Sequence, residues 1–193
     1  MRNLNNFNQE KIDMIIKGKS ISFKQLVCLT IYYGIAIYFP KSQNCFHIGM
    51  KFRRFICKRI FLYSGKDINV ERGARFGSGL KIEIGDYSGI GINANIPNDT
   101  KIGDYVMMGP NCYILHHNHR FDDILKPMMF QGMGESKRTI IGNDVWIGRD
   151  VLVMPGCKIS DHSIIAGGCV LTKDFPKWSV VGGNPSRLLK TRK

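Results

Sequence analysis

IGNDVWIGRDVLVMPGCKI, the run from Ile141 to Ile159, carries a large aliphatic residue at every sixth position: Ile141, Ile147, Val153 and Ile159. Outward from it the same register continues through Ile165 and Leu171, and a second register upstream reads Ile84, Ile90, Ile96, Ile102, Met108 and Ile114. About a quarter of the chain is Ile, Leu, Val or Met, so twelve matches in twelve arise by chance less than about once in a million. Glycine follows the aliphatic at Gly85, Gly91, Gly103, Gly109, Gly142 and Gly148, where its backbone freedom suits a turn. Four residues after the aliphatic stand Ser88, Ala94, Thr100, Val106, Cys112, Val145, Val151, Cys157, Ser163 and Cys169, nearly all small. A period of six is too short for a helical repeat. It predicts an all-β solenoid of short strands and corners, stacked around a column of aliphatics.

The irregularities divide the chain. Ile68, Ala74 and Leu80 step by six and then slip by four to Ile84, which predicts an irregular first coil. Ile114 to Ile141 is 27 residues, not a multiple of six, so the stretch 120–139, with Pro127, Gly132 and Gly134, is expected to leave the solenoid as a loop. After Pro176 the hexad stops, and Pro185 is placed to open a short C-terminal helix from Ser186 to Lys190. Three segments result: a basic, partly helical front (1–66), the repeat region (67–178) and a tail (179–193).

At 193 residues the chain is long enough for one well-buried domain, and its 44% hydrophobic content excludes a disordered tail protein or a collagen-like repeat. Its net charge of +13 is uneven: twelve basic and two acidic residues up to Lys66 give +10, and the remaining 16 and 13 give +3. Such a front suits an anionic membrane face or, equally, a helical cap over the first coil. Nucleic acid is not the expected partner, since no recognition module accompanies the charge. Leu26 to Phe39 is apolar but shorter than the roughly 20 residues that span a bilayer. The polar start, Met1 to Gln9, has no signal-peptide pattern, and the six cysteines form no C-x-x-C pair, so a cytoplasmic protein with free thiols is expected, peripheral at the inner membrane face if the front binds lipid.

The stretches IGDYVMMGPNCYILHHNH (Ile102 to His119), IGNDVWIGRDVLVMPGCKI and VVGGNPSRLLK (Val180 to Lys190) resemble the hexapeptide-repeat acyltransferases, in particular the maltose and galactoside O-acetyltransferase branch. PMMFQG (Pro127 to Gly132) and the FP at Phe39 resemble the colanic-acid and capsular polysaccharide O-acetyltransferases. The resemblance covers roughly residues 68–190. It implies a left-handed parallel β-helix; spacing alone leaves the hand open. It also implies acetyl-coenzyme A as acyl donor, a sugar or lipid-linked glycan as acceptor, and a homotrimer with active sites between subunits.

His116, His117 and His119 crowd the junction of repeat and loop. Acyl transfer from a thioester to a hydroxyl needs a base near neutral pH, which imidazole provides. The resemblance selects His119 as that base, with His116 and His117 as alternatives, and places Asp99 against the acceptor's hydroxyls. Gly91 replaces an acceptor-contacting asparagine of that branch. No further His, Asp or Glu cluster has ligand spacing, so no metal is expected. No G-x-S-x-G elbow is present, so direct attack in a ternary complex is expected over a covalent serine route. For the donor the resemblance marks Trp146 and Gly148, then Ala166, Gly167 and Gly168 on the next coil but one. It adds Thr172 and Lys173 at the end of the repeat and Arg187 and Lys190 in the tail. Small residues let the pantetheine arm approach the backbone, and the basic residues meet phosphates. A free sugar, serine or foreign compound as acceptor, or a scaffold without catalysis, are the other readings.

Overall fold

The computed structural model describes residues 21–43 and 45–192; the polar start from Met1 to Gln9 lies outside them. From Tyr63 the chain winds into a parallel β-solenoid. Its two-residue strands are β1 (Tyr63–Ser64), β2 (Asn69–Val70), β3 (Glu83–Ile84), β4 (Gly89–Ile90), β5 (Lys101–Ile102), β6 (Met107–Met108), β7 (Tyr113–Ile114), β8 (Ile140–Ile141), β9 (Trp146–Ile147), β10 (Leu152–Val153), β11 (Lys158–Ile159), β12 (Ile164–Ile165) and β13 (Val170–Leu171). Each strand pairs with the one a full coil away, giving three faces. The first face holds β1, β3, β5, β8 and β11. The second holds β2 and β4, then β6, β9 and β12. The third holds β7, β10 and β13, preceded by single bridges from Arg75 to Asn95 and from Asn95 to Tyr113.

The hexad aliphatics point inward, and all twelve except the half-buried Met108 are at most 3% exposed. Each such side chain contributes about 1.5–3 kcal/mol by leaving water. The small column, from Ser88 to Cys169, is buried beside them. The glycines that follow the aliphatics do not serve as left-handed turn residues. Positive φ falls two residues later, at Tyr87, Asn93, Tyr105, Asn111, Asp144 and Asp150. Glycine is required instead because the next coil passes too close: a Cβ on Gly148 would sit 2.5 Å from the Gly167 nitrogen.

Along the edge between the first and second faces, an acceptor ladder ties the coils together. Asp86 Oδ1 accepts from Lys66 N at 2.7 Å, Asp104 Oδ1 from Asp86 N at 2.7 Å, Asn143 Oδ1 from Asp104 N at 2.8 Å and Asp161 Oδ1 from Asn143 N at 2.9 Å.

The first coil departs from the sequence reading. Ser64 pairs with Ile84 and Val70 with Ile90, so the inward column runs Ser64, Val70, Phe76. Ile68 and Ala74 occupy the small column instead. Ser64 to Ile84 is twenty residues, where Ile84 to Ile102 is eighteen. The two extra residues fall in the turn around Gly77 and Gly79, both at positive φ.

Two helices, α1 (Phe23–Gly34) and α2 (Ile48–Ile60), cover this coil. Ser22 and Gln25 form a capping box at the start of α1. The helices satisfy the open strand edge with side chains. Arg53 Nε donates to Val70 O (2.6 Å), Arg54 Nε to Ile68 O (2.6 Å), Tyr32 Oη to Ala74 O and Tyr33 Oη to Gly77 O (both 2.8 Å). Among the described residues no helix is long and apolar enough to cross a membrane.

The other end closes differently from expectation. Among the described residues no helix follows Pro185; β14 (Ser179–Gly182) and β15 (Arg187–Thr191) form an antiparallel hairpin, with β14 continuing the second face beside β12. Proline at a first helical position is a local signal, and strand pairing with the last coil overrides it. The expected loop does leave the solenoid between β7 and β8.

Replacing Asp104 by Ala is expected to cost about 1–3 kcal/mol, because it strands the Asp86 N–H. Asp104→Asn keeps the acceptor, as Asn143 does one coil on, and is expected to cost less. Thermal unfolding of the two variants at matched concentration checks this.

Candidate functional site

Two of the three long edges carry the chemistry. On the edge between the third and first faces lie Asp99 and the root of the loop. The loop leaves and returns as a short antiparallel pairing of His119 with Met133, braced by Arg120 N to Gly132 O and Gly134 N to Asn118 O. Its tip exposes Ile124, Leu125, Met128 and Met129. His119 is exposed, and among the described residues its ring makes no hydrogen bond.

His116 is the imidazole that Asp99 meets. Its Nε2 lies 2.6 Å from Ser136 Oγ and 3.4 Å from Asp99 Oδ2. Asp99 Oδ1 is buried without a partner. Arg138 locks the returning strand of the loop: Nε donates to Asp99 O and Nη2 to Glu83 Oε1, both at 2.6 Å, and Lys101 Nζ approaches Glu83 at 3.8 Å. The sequence reading missed Ser136, Arg138 and Glu83. The crowding of histidines pointed to this place, and the resemblance chose His119 and Asp99, but neither signal reached the contact between Asp99 and His116.

Most of the residues marked for the donor fall on the second face and on its edge with the third; Thr172 and Lys173 follow β13 at the next corner, between the third and first faces. Trp146 stands on β9, half exposed, and pairs with Ile164. Gly148 N donates to Ile165 O at 2.7 Å. Ala166, Gly167 and Gly168 therefore lie on the next coil, not the next but one, because Trp146 and Ile164 are eighteen residues apart. The tail hairpin extends this strip. Ala166 N donates to Val181 O, Val170 N to Gly183 O and Ser186 N to Val170 O. Ser186 Oγ holds Thr172, accepting from its N and meeting its Oγ1, each at 3.0 Å. Arg187 begins β15 opposite Gly182, and Lys190 stands opposite Val180. Lys173 turns its Nζ over Phe175, 5.6 Å from the ring centre.

Two further residues belong to this strip. Arg149, exposed, faces the Gly167 backbone and pairs with Asp150 at 2.9 Å; a basic residue inside a hexad was the available signal. Cys112 lies beneath it, with Sγ 3.1 Å from Gly148 O and 3.2 Å from Gly109 O. Burial pushes its thiol up to about 11, so it stays protonated at neutral pH and fills space rather than attacking a thioester. Among the described residues no group of three or more His, Cys, Asp or Glu is arranged to hold a metal ion.

In one chain, then, the imidazoles and Asp99 occupy one edge of the prism and the glycine strip with Trp146 another. The described geometry does not bring His119 to Gly148.

The family described as bacterial transferase hexapeptide (six repeats) matches residues 81–116 and 138–173, on either side of the loop. Galactoside O-acetyltransferase of Escherichia coli K12 is 34% identical over 140 residues, 72% of this chain and 68% of that protein. Chloramphenicol acetyltransferase of Klebsiella aerogenes is 36% identical over 115 residues, 58% of this chain and 52% of that one. The solved structure of a galactoside acetyltransferase in complex with coenzyme A superposes with a TM-score of 0.73 at 28% identity, covering 94% of this chain and 90% of that one.

Arg138→Ala removes both clamps on the loop root. Cleavage within 120–137 by a dilute protease is expected to speed up roughly tenfold, with the far-UV spectrum of the solenoid unchanged.

Proposed function

Because the chain belongs to the hexapeptide-repeat acyltransferases, whose left-handed parallel β-helix it shares, we propose that it moves an acetyl group from acetyl-coenzyme A to a sugar hydroxyl in surface polysaccharide biosynthesis. The observation that carries the donor half is the strip from Trp146 through Gly148 and Ala166–Gly168 to Thr172 and Arg187. There, close-packed backbone with only glycine and alanine at the corner leaves a narrow lane bordered by Arg149; Arg187 and Lys190 stand on the hairpin at its end, and Lys173 stands at the next corner of the last coil. The lane suits a pantetheine arm, and the cations suit its nucleotide phosphates. Lys190 replaces an arginine of the related branch and supplies charge with less directional grip.

His119 acts as general base. Its free, exposed imidazole takes the hydroxyl proton as the oxygen attacks the thioester carbonyl; the carbon–sulfur bond breaks and the imidazolium returns the proton to the departing thiolate. Asp99 orients the acceptor, and His116, tied to Asp99 and Ser136, keeps that carboxylate in place. The base and the donor lane lie on different edges of one prism. A second copy that sets its His119 edge against the lane completes the site, and a homotrimer closes three such sites by rotation.

The cap adds a surface for an anionic bilayer, where a lipid-linked acceptor resides. Phe23, Leu26 and Val27 on α1 and Phe55 on α2 are exposed, among Lys24, Lys51 and Lys58. On this reading the enzyme works in the cytoplasm, peripheral at the inner membrane face.

His119→Ala is expected to lower turnover by roughly 100- to 10,000-fold while coenzyme A still binds; near-normal turnover in a folded variant sinks the base assignment. Lys173→Ala is expected to weaken acetyl-coenzyme A about tenfold by calorimetry. Light scattering reads the assembly, and a clean monomer overturns the shared site. Sedimentation with anionic vesicles at low salt, lost at high salt, is the expected behaviour of the cap.

A further inference from the structure

Arg72 and Arg75 stand on the first coil, at the N-terminal end of the edge between the second and third faces. Both side chains are exposed, and among the described residues neither guanidinium has an ion pair. The neighbouring acid, Glu71, is engaged elsewhere: its carboxylate accepts from Ser42 N and Asn69 Nδ2, both at 3.1 Å, and faces Arg53 at 3.7 Å. With Tyr38, Asn93, Asn95 and Tyr113, the two arginines line a hollow of about 430 Å³, and among the described residues no carboxylate lines it. A concave surface with two unneutralised guanidinium groups, amides and phenol hydroxyls complements a phosphate or diphosphate, which arginine grips through paired N–H donors.

The hollow lies in line with the donor lane. Backbone bonds run down this edge one coil at a time: Asn93 N to Arg72 O, Asn111 N to Ile92 O, Asp150 N to Pro110 O and Gly168 N to Arg149 O. Four steps of about 4.8 Å put the hollow roughly 19 Å from Gly168. Arg187 and Lys190 lie beyond Gly168 on the tail hairpin, and Lys173 stands at the next corner of the last coil, all at the opposite end. Nucleotide phosphates anchored there leave the Arg72–Arg75 end to the other substrate. We propose that this hollow binds the phosphate or diphosphate of a phosphorylated sugar acceptor. The assignment to an acceptor rests on the acetyltransferase reading; the anion site itself does not.

The test is calorimetric titration of inorganic pyrophosphate into the full chain saturated with coenzyme A, which occupies the donor's own phosphate contacts. One pyrophosphate per chain is expected, weakened at least about tenfold by Arg72→Gln with Arg75→Gln and unmoved by Lys173→Ala. Uridine diphosphate binding tighter than pyrophosphate assigns a nucleotide-linked sugar; farnesyl diphosphate binding tighter assigns a lipid-linked one. Pyrophosphate that binds only when coenzyme A is absent, or that ignores both arginine changes, overturns the proposal, as does glucuronate binding where pyrophosphate does not. Should the double variant fail to fold, phenylglyoxal labelling of the unaltered chain reads the same point. Protection of Arg72 and Arg75 by pyrophosphate supports the site, and equal labelling rejects it. Failure of coenzyme A to bind sinks the donor reading alone, because the arginine-dependent pyrophosphate site is measured equally well without it.

Discussion

The close approach of successive coils at their corners is the constraint on which the rest of the molecule depends. Parallel strands must sit about 4.8 Å apart, and the chain meets this at Gly85, Gly91, Gly103, Gly109, Gly142 and Gly148, where any side chain would strike the next coil's backbone or its capping side chain. Once the corners close, the hexad aliphatic has nowhere to go but inward, the small residue fills the corner's inner side, and the flanking position points to solvent. Left-handed residues then follow at a fixed offset, and asparagine and aspartate, which tolerate that conformation better than most, recur there at Asn93, Asn111, Asp144 and Asp150. The same residues are free to bond up and down the stack, as Asn111 does to Asp150 at 2.8 Å.

A stack of this kind converts a linear repeat into three edges, and residues far apart in sequence become neighbours when their separation is near a whole coil. Asp99 and the loop root share an edge for this reason. Trp146 meets Ile164, and Arg149 meets Gly168. The faces are strands with alternate side chains turned inward, so they offer flat surfaces; edges offer clefts, exposed N–H groups and room for insertions. Function on such a scaffold gathers at edges, and the chain places its one long insertion and its glycine lane on two different ones.

The core of the fold was legible because its signal is a strict period carried by residue type alone: from Ile84 to Leu171 the inward column of the structure is the column of the sequence. Legibility ended where tertiary pairing decides. Ile68 and Ala74 also step by six, but as members of the small column, and only the register of β2 against β4 distinguishes the two. Pro185 reads locally as a helix start, whereas the tail is drawn into a hairpin by β12. The glycine column was read as suiting a turn, whereas close approach of the next coil is what requires it; the two causes leave the same letter. At the site, residue chemistry singled out the histidine cluster and the family resemblance selected His119 and Asp99, but the partner Asp99 finds is His116, and the clamp formed by Arg138 and Glu83 joins positions 55 residues apart. No spacing rule connects those.

The ends of the stack set how the positive charge should be understood. An open solenoid presents unpaired strand edges that invite association with other chains. Here the C-terminal end is closed by a hairpin and the N-terminal end by helices whose side chains donate to the carbonyls of Ile68, Val70, Ala74 and Gly77. Arg53, fully buried, serves that purpose together with Glu71, and Arg54 does so with Asp67 at 2.7 Å. Burial pulls the Arg53 guanidinium down from its ordinary value. Burial also acts to raise the Glu71 carboxyl, but hydrogen bonds from Ser42, Asn69 and the Arg72 backbone outweigh it and hold the group below its usual range, so the pair stays ionised. Two of the basic residues that make the front of the chain look like a polyanion surface are thus structural donors, neutralised in place. Among the described residues of this end, free charge sits on the rim of the cap and, immediately past it, on Arg72 and Arg75, where the fold offers a hollow instead of a carbonyl edge. A net charge counted along the sequence mixes these populations, and only the coil edge separates them: arginines facing a strand end are spent on it, and arginines one corner further are left for a ligand.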